Sequence, residues 1–420
     1  MNDRDLLSWL AAIPSHHLAP LPDKRKRKRA AAPPTPPPDS SSSSTSSAHI
    51  TSTPAKRPAI HVDDDIDQTP RPARSRPAEE SLTSTPSKRS RTSQSSFASG
   101  SKRIREAESS GDLCSQSFSR DDTDALPEAL RTLQTDLECA CVGAPIISSS
   151  RKHEISAAGA LGKSIRDFHF LPPDSGQVES PTFRDVCKYQ KRAAMYNDDR
   201  FEEAAWSACI IIPLLELAIS DIKELAIIPC TTAKVADKDL LPRGYSNCKM
   251  VDICLALEPS HVPKTLSAVR RVQHLAPSKT INHTDYHPLS YRPIGLSIEL
   301  KRPSGSTVEA VEQLAVWQYA QWKMLEILAM NPDDNQPLAL EGLDFLPGIS
   351  IIGHEWSFSA TIRHRDGSVV QWKGAKLGDT TTAHGIYSIV WGLRRIAKYL
   401  TETYWPWYEK EILRMAPINV

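Results

Sequence analysis

The sequence predicts a mixed α/β domain built on one central sheet, carried behind a long unstructured leader. Three observations predict it. The composition changes near residue 120. Short apolar runs bounded by turn residues then alternate with helical stretches over residues 125–415. Two carboxylates sit inside strand-like runs, where carboxylates are scarce. Of the 420 residues, the first 120 hold 25 Ser, 14 of the 33 Pro and one of the nine Trp, with 19 Lys+Arg against 13 Asp+Glu. The remaining 300 carry 32 against 37. The near-neutral total therefore averages a basic leader with a mildly acidic body and says little about partners. No run of about 20 uncharged apolar residues is present, as a membrane span needs. The eight cysteines form no CxxC pair, which argues against a disulfide framework or a structural zinc site. The expectation is a reduced, intracellular, soluble protein.

The leader, residues 1–120, lacks hydrophobic periodicity, so it is expected to be disordered. Met1–Ile13 is the exception, with Leu6, Leu7, Trp9, Leu10 and Ile13 at helical spacing. Lys24–Arg29 is a run of six cations, the pattern of a nuclear import signal read by an import receptor. A solvated charge run is the plainer alternative. Thr51–Arg57 recurs as Thr83–Arg89, each placing Thr-Pro before a basic pair, so a phosphate at Thr53 or Thr85 would weaken the pull of those cations on polyanions.

In the body, Leu126, Leu130, Leu133 and Leu137 predict a helix ending before Gly143, with order beginning near Ala125. A turn-rich stretch around Pro172–Gly176 follows. Asp198 or Asp199 then reads as the N-cap of a long helix through Glu203, Trp206, Ile210 and Leu214, kinked at Pro213. Strands are expected at Leu225–Pro229, Lys249–Leu257 and Ile294–Lys301. A polar helix over Thr307–Ala329 comes next. Strands at Ile349–Ile352, Ser357–Ile362 and Val369–Trp372 follow, the last two joined by a turn at Asp366-Gly367. A final helix spans Thr382–Glu402. Helices interleaved with strands imply one sheet with helical cover.

Asp252 lies within Met250–Leu255, and Glu299 within Leu296–Lys301. Period-two geometry places Glu299 and Lys301 on one strand face, about 6–7 Å apart along the strand. A neighbouring strand can bring Asp252 beside them. Two carboxylates and a lysine on one face suit a hard divalent cation or, more plainly, a buried ion pair.

These residues resemble a known family. Asp followed by Glu-x-Lys on consecutive strands is similar to the motif of the PD-(D/E)XK nuclease superfamily. Glu203–Trp206 with Pro213-Leu214-Leu215, Ile281–Thr284, Pro293–Lys301, Gln313–Gln318, Gly353–Trp356 and Tyr404–Tyr408 together resemble a fungal group of nuclease-like domain proteins over about residues 125–415. The resemblance implies a restriction-endonuclease-like αβββαβ core with a central mixed sheet flanked by helices, preceded by the disordered tail. It implies Asp252, Glu299 and Glu203 as ligands of Mg²⁺, with Mn²⁺ as a substitute, and Lys301 as the catalytic lysine. Gln313 resembles a Gln that places water or phosphate in some branches. The partner implied is nucleic acid, DNA or RNA, and with the basic leader the expected location is the nucleus. The alternative is a catalytically silent nuclease-like fold serving as an interaction module. Val251 stands where the motif has proline. The 46 residues between Asp252 and Glu299 imply an insertion, 253–293, whose His261, His274, His283, Tyr286 and His287 are expected near the site. Lys301-Arg302, Lys323 and Arg363–Arg365 are candidates for a phosphate cleft. Trp317, Trp322, Trp356, Trp372 and Trp391 are expected mainly in the core.

Overall fold

The computed structural model describes residues 106–119, 126–173, 175–176, 178–245, 250–330 and 340–415. The expectations for Met1–Ile13, Lys24–Arg29, Thr53 and Thr85 lie outside the described residues.

Seven strands form one mixed sheet: β1 Leu113–Ser117, β2 Leu225–Pro229, β3 Ile253–Leu257, β4 Ile294–Lys301, β5 Leu346–Ile352, β6 Glu355–Arg363 and β7 Val369–Asp379. Their order across the sheet is β1-β7-β6-β5-β4-β3-β2. The β1/β7 and β4/β5 pairs are parallel, and the other four are antiparallel. Central β3 and β4 read as near-continuous apolar runs because both their faces are covered, and only Lys301 among their residues is less than fully buried.

The helices are α1 Glu128–Val142, α2 Lys152–Ala157, α3 Phe183–Asp198, α4 over 203–219, α5 Pro263–Leu275, α6 Thr307–Ala329 and α7 Ala383–Tyr399, which continues helically to Ile412. Helix α6 crosses one face. Its Trp317 indole donates to Ser297 Oγ at 3.1 Å, and its Trp322 indole to Thr361 Oγ1 at 3.0 Å. Helices α1, α4 and α7 cover the other face, where Gly392 of α7 fits between Leu377 and Leu137. Trp317, Trp322, Trp356 and Trp372 are buried as expected, while Trp391 is half-buried.

Four expectations are corrected. Order starts before residue 120, since Leu113–Ser117 extends the sheet alongside Val369–Lys373, with Leu113 and Phe118 buried. The segment before Glu203 contains a full helix, α3, capped by Thr182, whose hydroxyl accepts from the Asp185 amide. It escapes a periodicity search because it buries only Phe183, Val186 and Ala193. The N-cap of α4 is consequently Glu202, and Pro213 does not break that helix. A π-turn at Ser207–Ile211 lies just ahead of the proline, and the Cys209 carbonyl, four residues before it, accepts from Arg192 Nη1 at 3.1 Å. Helix α6 has the expected bounds but is central, with Gln318 and Gln321 buried and donating to the carbonyls of Pro347 and Ile294.

Candidate functional site

The carboxylates meet where β3 begins and β4 ends. Strand β3 starts at Ile253, paired with Ile298. Asp252 therefore sits just before the strand and not inside it. It still holds the ladder, because its N–H donates to the Ile298 carbonyl at 3.0 Å and its carbonyl accepts from Cys230 at 2.8 Å. Continuing that register brings Asp252 opposite Glu299, and residues directly opposite in a sheet share a face. The Leu300 amide donates to Asp252 Oδ2 at 2.8 Å, which fixes the carboxylate. Lys301 Nζ lies 2.6 Å from Glu299 Oε1.

Glu299 is 1% exposed. Burial, with the like charge of Asp252 next and Glu203 adding to it, pushes its carboxyl up to about 8 against the pull of Lys301. Burial also raises Asp252, opposed by the Leu300 amide and by Lys301. Burial works against the Lys301 ammonium, but Glu299, with Glu203 and Asp252 behind it, outweighs that and holds its pKa above the ordinary lysine value. The cluster is short of positive charge and takes up a proton in its place.

Glu203, at the start of α4, accepts from the Arg302 amide at 3.4 Å. Helix α4 thereby touches the chain one residue beyond Lys301. Gln313 on α6 donates to the Met250 carbonyl at 3.2 Å, two residues before Asp252, and its Oε1 is buried without a partner. All five expected residues thus converge on one strand end.

The other expectations fare differently. Lys323 and Arg363 both pair with Glu326, and Arg363 lies opposite Val369, at the far end of the sheet from Lys301. They therefore do not line this site. The insertion leaves from the far end of β3, and its His261 and His274 are exposed. His283 is fully buried against Trp317, ring centroids 4.2 Å apart, and burial lowers its pKa to about 3. No insertion histidine hydrogen-bonds Asp252, Glu299 or Glu203 among the described residues. Sequence reasoning gave no role to His354, which the structure places at the lip. Its Nδ1 is 2.7 Å from Thr380 Oγ1, and its ring meets Trp206, three residues after Glu203, edge-on at 5.4 Å. The preceding Gly353, with φ of 56° and its amide 2.9 Å from the Lys301 carbonyl, was the available signal.

A cleft of about 570 Å³ between α4, α7 and the 176–181 segment contains none of these residues. Its cations are committed internally, Arg394 to the Ala218 and Glu179 carbonyls and Lys398 to Glu402. The carboxylate cluster is the better candidate because its groups carry unresolved charge.

Among the described residues, no three of His, Cys, Asp and Glu stand together as a set that encloses a metal. Glu203 is felt electrostatically by both neighbours but does not complete a three-carboxylate cage with them. The donors that remain, two hard carboxylates on one face, fit an ion such as Mg²⁺, which keeps several waters. The raised carboxyl of Glu299 marks the place where such a charge fits.

No curated protein matches the chain. A family model described as the PD-(D/E)XK nuclease superfamily matches residues 156–405, more than half of the chain and inclusive of Glu203, Asp252, Glu299, Lys301 and Gln313. The mixed sheet, the carboxylate pair at one strand end and that match together place the chain in a family, and it belongs to the PD-(D/E)XK nuclease superfamily.

Proposed function

We propose that the protein is a metal-dependent phosphodiester hydrolase acting on nucleic acid. The observation that carries the reading is the buried Asp252–Glu299 pair, with Lys301 2.6 Å from Glu299, inside a nuclease-superfamily domain. A bound Mg²⁺ or Mn²⁺ supplies Lewis acidity, lowering the pKa of water and offsetting charge on the scissile phosphate. Asp252 and Glu299 would hold it, the former oriented by the Leu300 amide. Lys301 retains its proton and stabilises the negative charge that develops on the phosphoryl oxygens. Glu203 steadies the backbone beyond Lys301, and the unpartnered Gln313 Oε1 accepts from a water. Displacement by water needs no covalent enzyme intermediate.

Labelled DNA and RNA incubated with the full chain, in Mg²⁺, Mn²⁺ or chelator, test this. Cleavage requires the metal, and Lys301→Ala lowers the rate by about 10²–10³-fold. Cleavage that Lys301→Ala leaves untouched sinks the reading.

The tight Lys301–Glu299 pair favours a second reading, a silent nuclease-like module whose site is closed on itself. Binding of nucleic acid and of metal with no cleavage under any condition supports that one. We also propose nuclear import through Lys24–Arg29. Deleting those six residues then shifts a fluorescent fusion out of the nucleus, and an unchanged distribution rejects the signal.

A further inference from the structure

We propose that the outward face of α3 is the track along which the sugar–phosphate backbone runs to the Asp252–Glu299 site. The inference rests on the nuclease reading and adds the surface that reading lacks, since the body is net acidic and Lys323 and Arg363 are spent on Glu326.

Arg184, Lys188 and Lys191 follow one another at four- and three-residue steps, so they share one helix face and span about 10 Å along it. All three are exposed, and none has a carboxylate partner among the described residues. Several cations elsewhere in the domain are paired, as Arg292 is with Glu258 and Arg395 with Asp136, whereas α3 gathers on one face three that are unpaired among the described residues. Helix α3 carries two acidic residues within its bounds, and one of them, Asp185, is bound to the Thr182 cap at 2.6 Å.

The row leads to the site. Gln190 of α3 donates to the Thr381 carbonyl at 2.8 Å. The adjacent Thr380 holds His354, whose ring stands on Trp206 near Glu203. Asp198, the last residue of α3, is close enough to bias His354 electrostatically. Between the cations and that lip lie Met195, 49% exposed, and Phe201, 37% exposed, the latter stacked on Tyr196 at 4.1 Å. A cationic ridge, followed by exposed Met195 and Phe201 with Asp198, Asp199 and Arg200 between them and ending at the carboxylates, matches a polyanion whose backbone is gripped first on α3 and whose phosphodiester reaches the metal ligands last.

The test is a salt series of binding by fluorescence anisotropy, in chelator, with the full chain and a labelled DNA duplex, DNA strand and RNA strand. Arg184→Gln/Lys188→Gln/Lys191→Gln is compared with Lys234→Gln/Lys238→Gln/Lys264→Gln, three exposed lysines elsewhere. Each lost phosphate contact flattens the log–log slope on duplex by about 0.9. The α3 variant is therefore expected to flatten it by about 2–3 and the control by less than about 1. The probe with the largest difference identifies the form of nucleic acid that α3 follows. Equal slopes for both variants, with a wild type that binds and cleaves, overturn the track and leave the nuclease reading standing. A wild type that neither binds nor cleaves overturns both.

Discussion

Glu299 lies under α6 with Lys301 at 2.6 Å and the Asp252 charge close by. Its carboxyl titrates near 8 in the folded chain against an ordinary value of 4.5. Between those values the folded state binds a proton that the unfolded chain has released, so this group's contribution to stability falls as pH rises from about 5 to about 8 and is level above. Thermal melts in chelator should therefore show Glu299→Gln gaining on the wild type across that window. A constant difference from pH 5 to 8 contradicts it. Asp252→Asn keeps the shape but removes a charge, so it should abolish cleavage while melting within a few degrees of the wild type. Glu299 was legible in the sequence because a carboxylate in an apolar strand is costly, and only a site or a partner justifies it, while Asp252, read as a strand residue, sits one place before β3. His354 was not legible, since its place at the lip is set by Trp206 and Thr380, far away in sequence.

At the scale of elements, β2, β4 and α6 fall at the expected bounds, while the fully buried β3 starts at Ile253, four residues later than expected. Helix α3 was not expected, because a helix that buries three residues leaves no apolar stripe, and only its Thr182 cap carries a local signal. Strand β1 was hidden for a related reason. Leu-Cys-Ser-Gln-Ser is a weak strand former that depends on β7 for its place. The turn from β5 to β6 touches the site through Gly353, whose amide donates to the Lys301 carbonyl at 2.9 Å. A Cβ on Gly353 would meet Pro303 Cγ at 2.7 Å, at a positive φ. Gly353→Ala should cost about 1–3 kcal/mol in urea unfolding and slow cleavage by displacing Lys301 and His354. An unchanged midpoint and rate reject the coupling.

The whole domain extends beyond the matched segment. Residues 156–405 carry all five candidate residues but omit β1 and α1. Leu130 and Leu137 of α1 are fully buried, and the latter packs under Gly392 of α7. Each large buried leucine contributes about 2–5 kcal/mol. A chain spanning 106–415 should therefore melt cooperatively by circular dichroism, and one spanning 156–405 should not. Two cooperative transitions of equal midpoint contradict that dependence.

The proposed hydrolysis requires that residues 252 and 299 share one ion. Titration calorimetry with Mn²⁺, on the full chain and on Asp252→Asn and Glu299→Gln, measures that sharing without reference to any substrate. One site is expected in the wild type, weakened at least about tenfold by either substitution. Equal binding by all three chains, or heat in none of them, contradicts it.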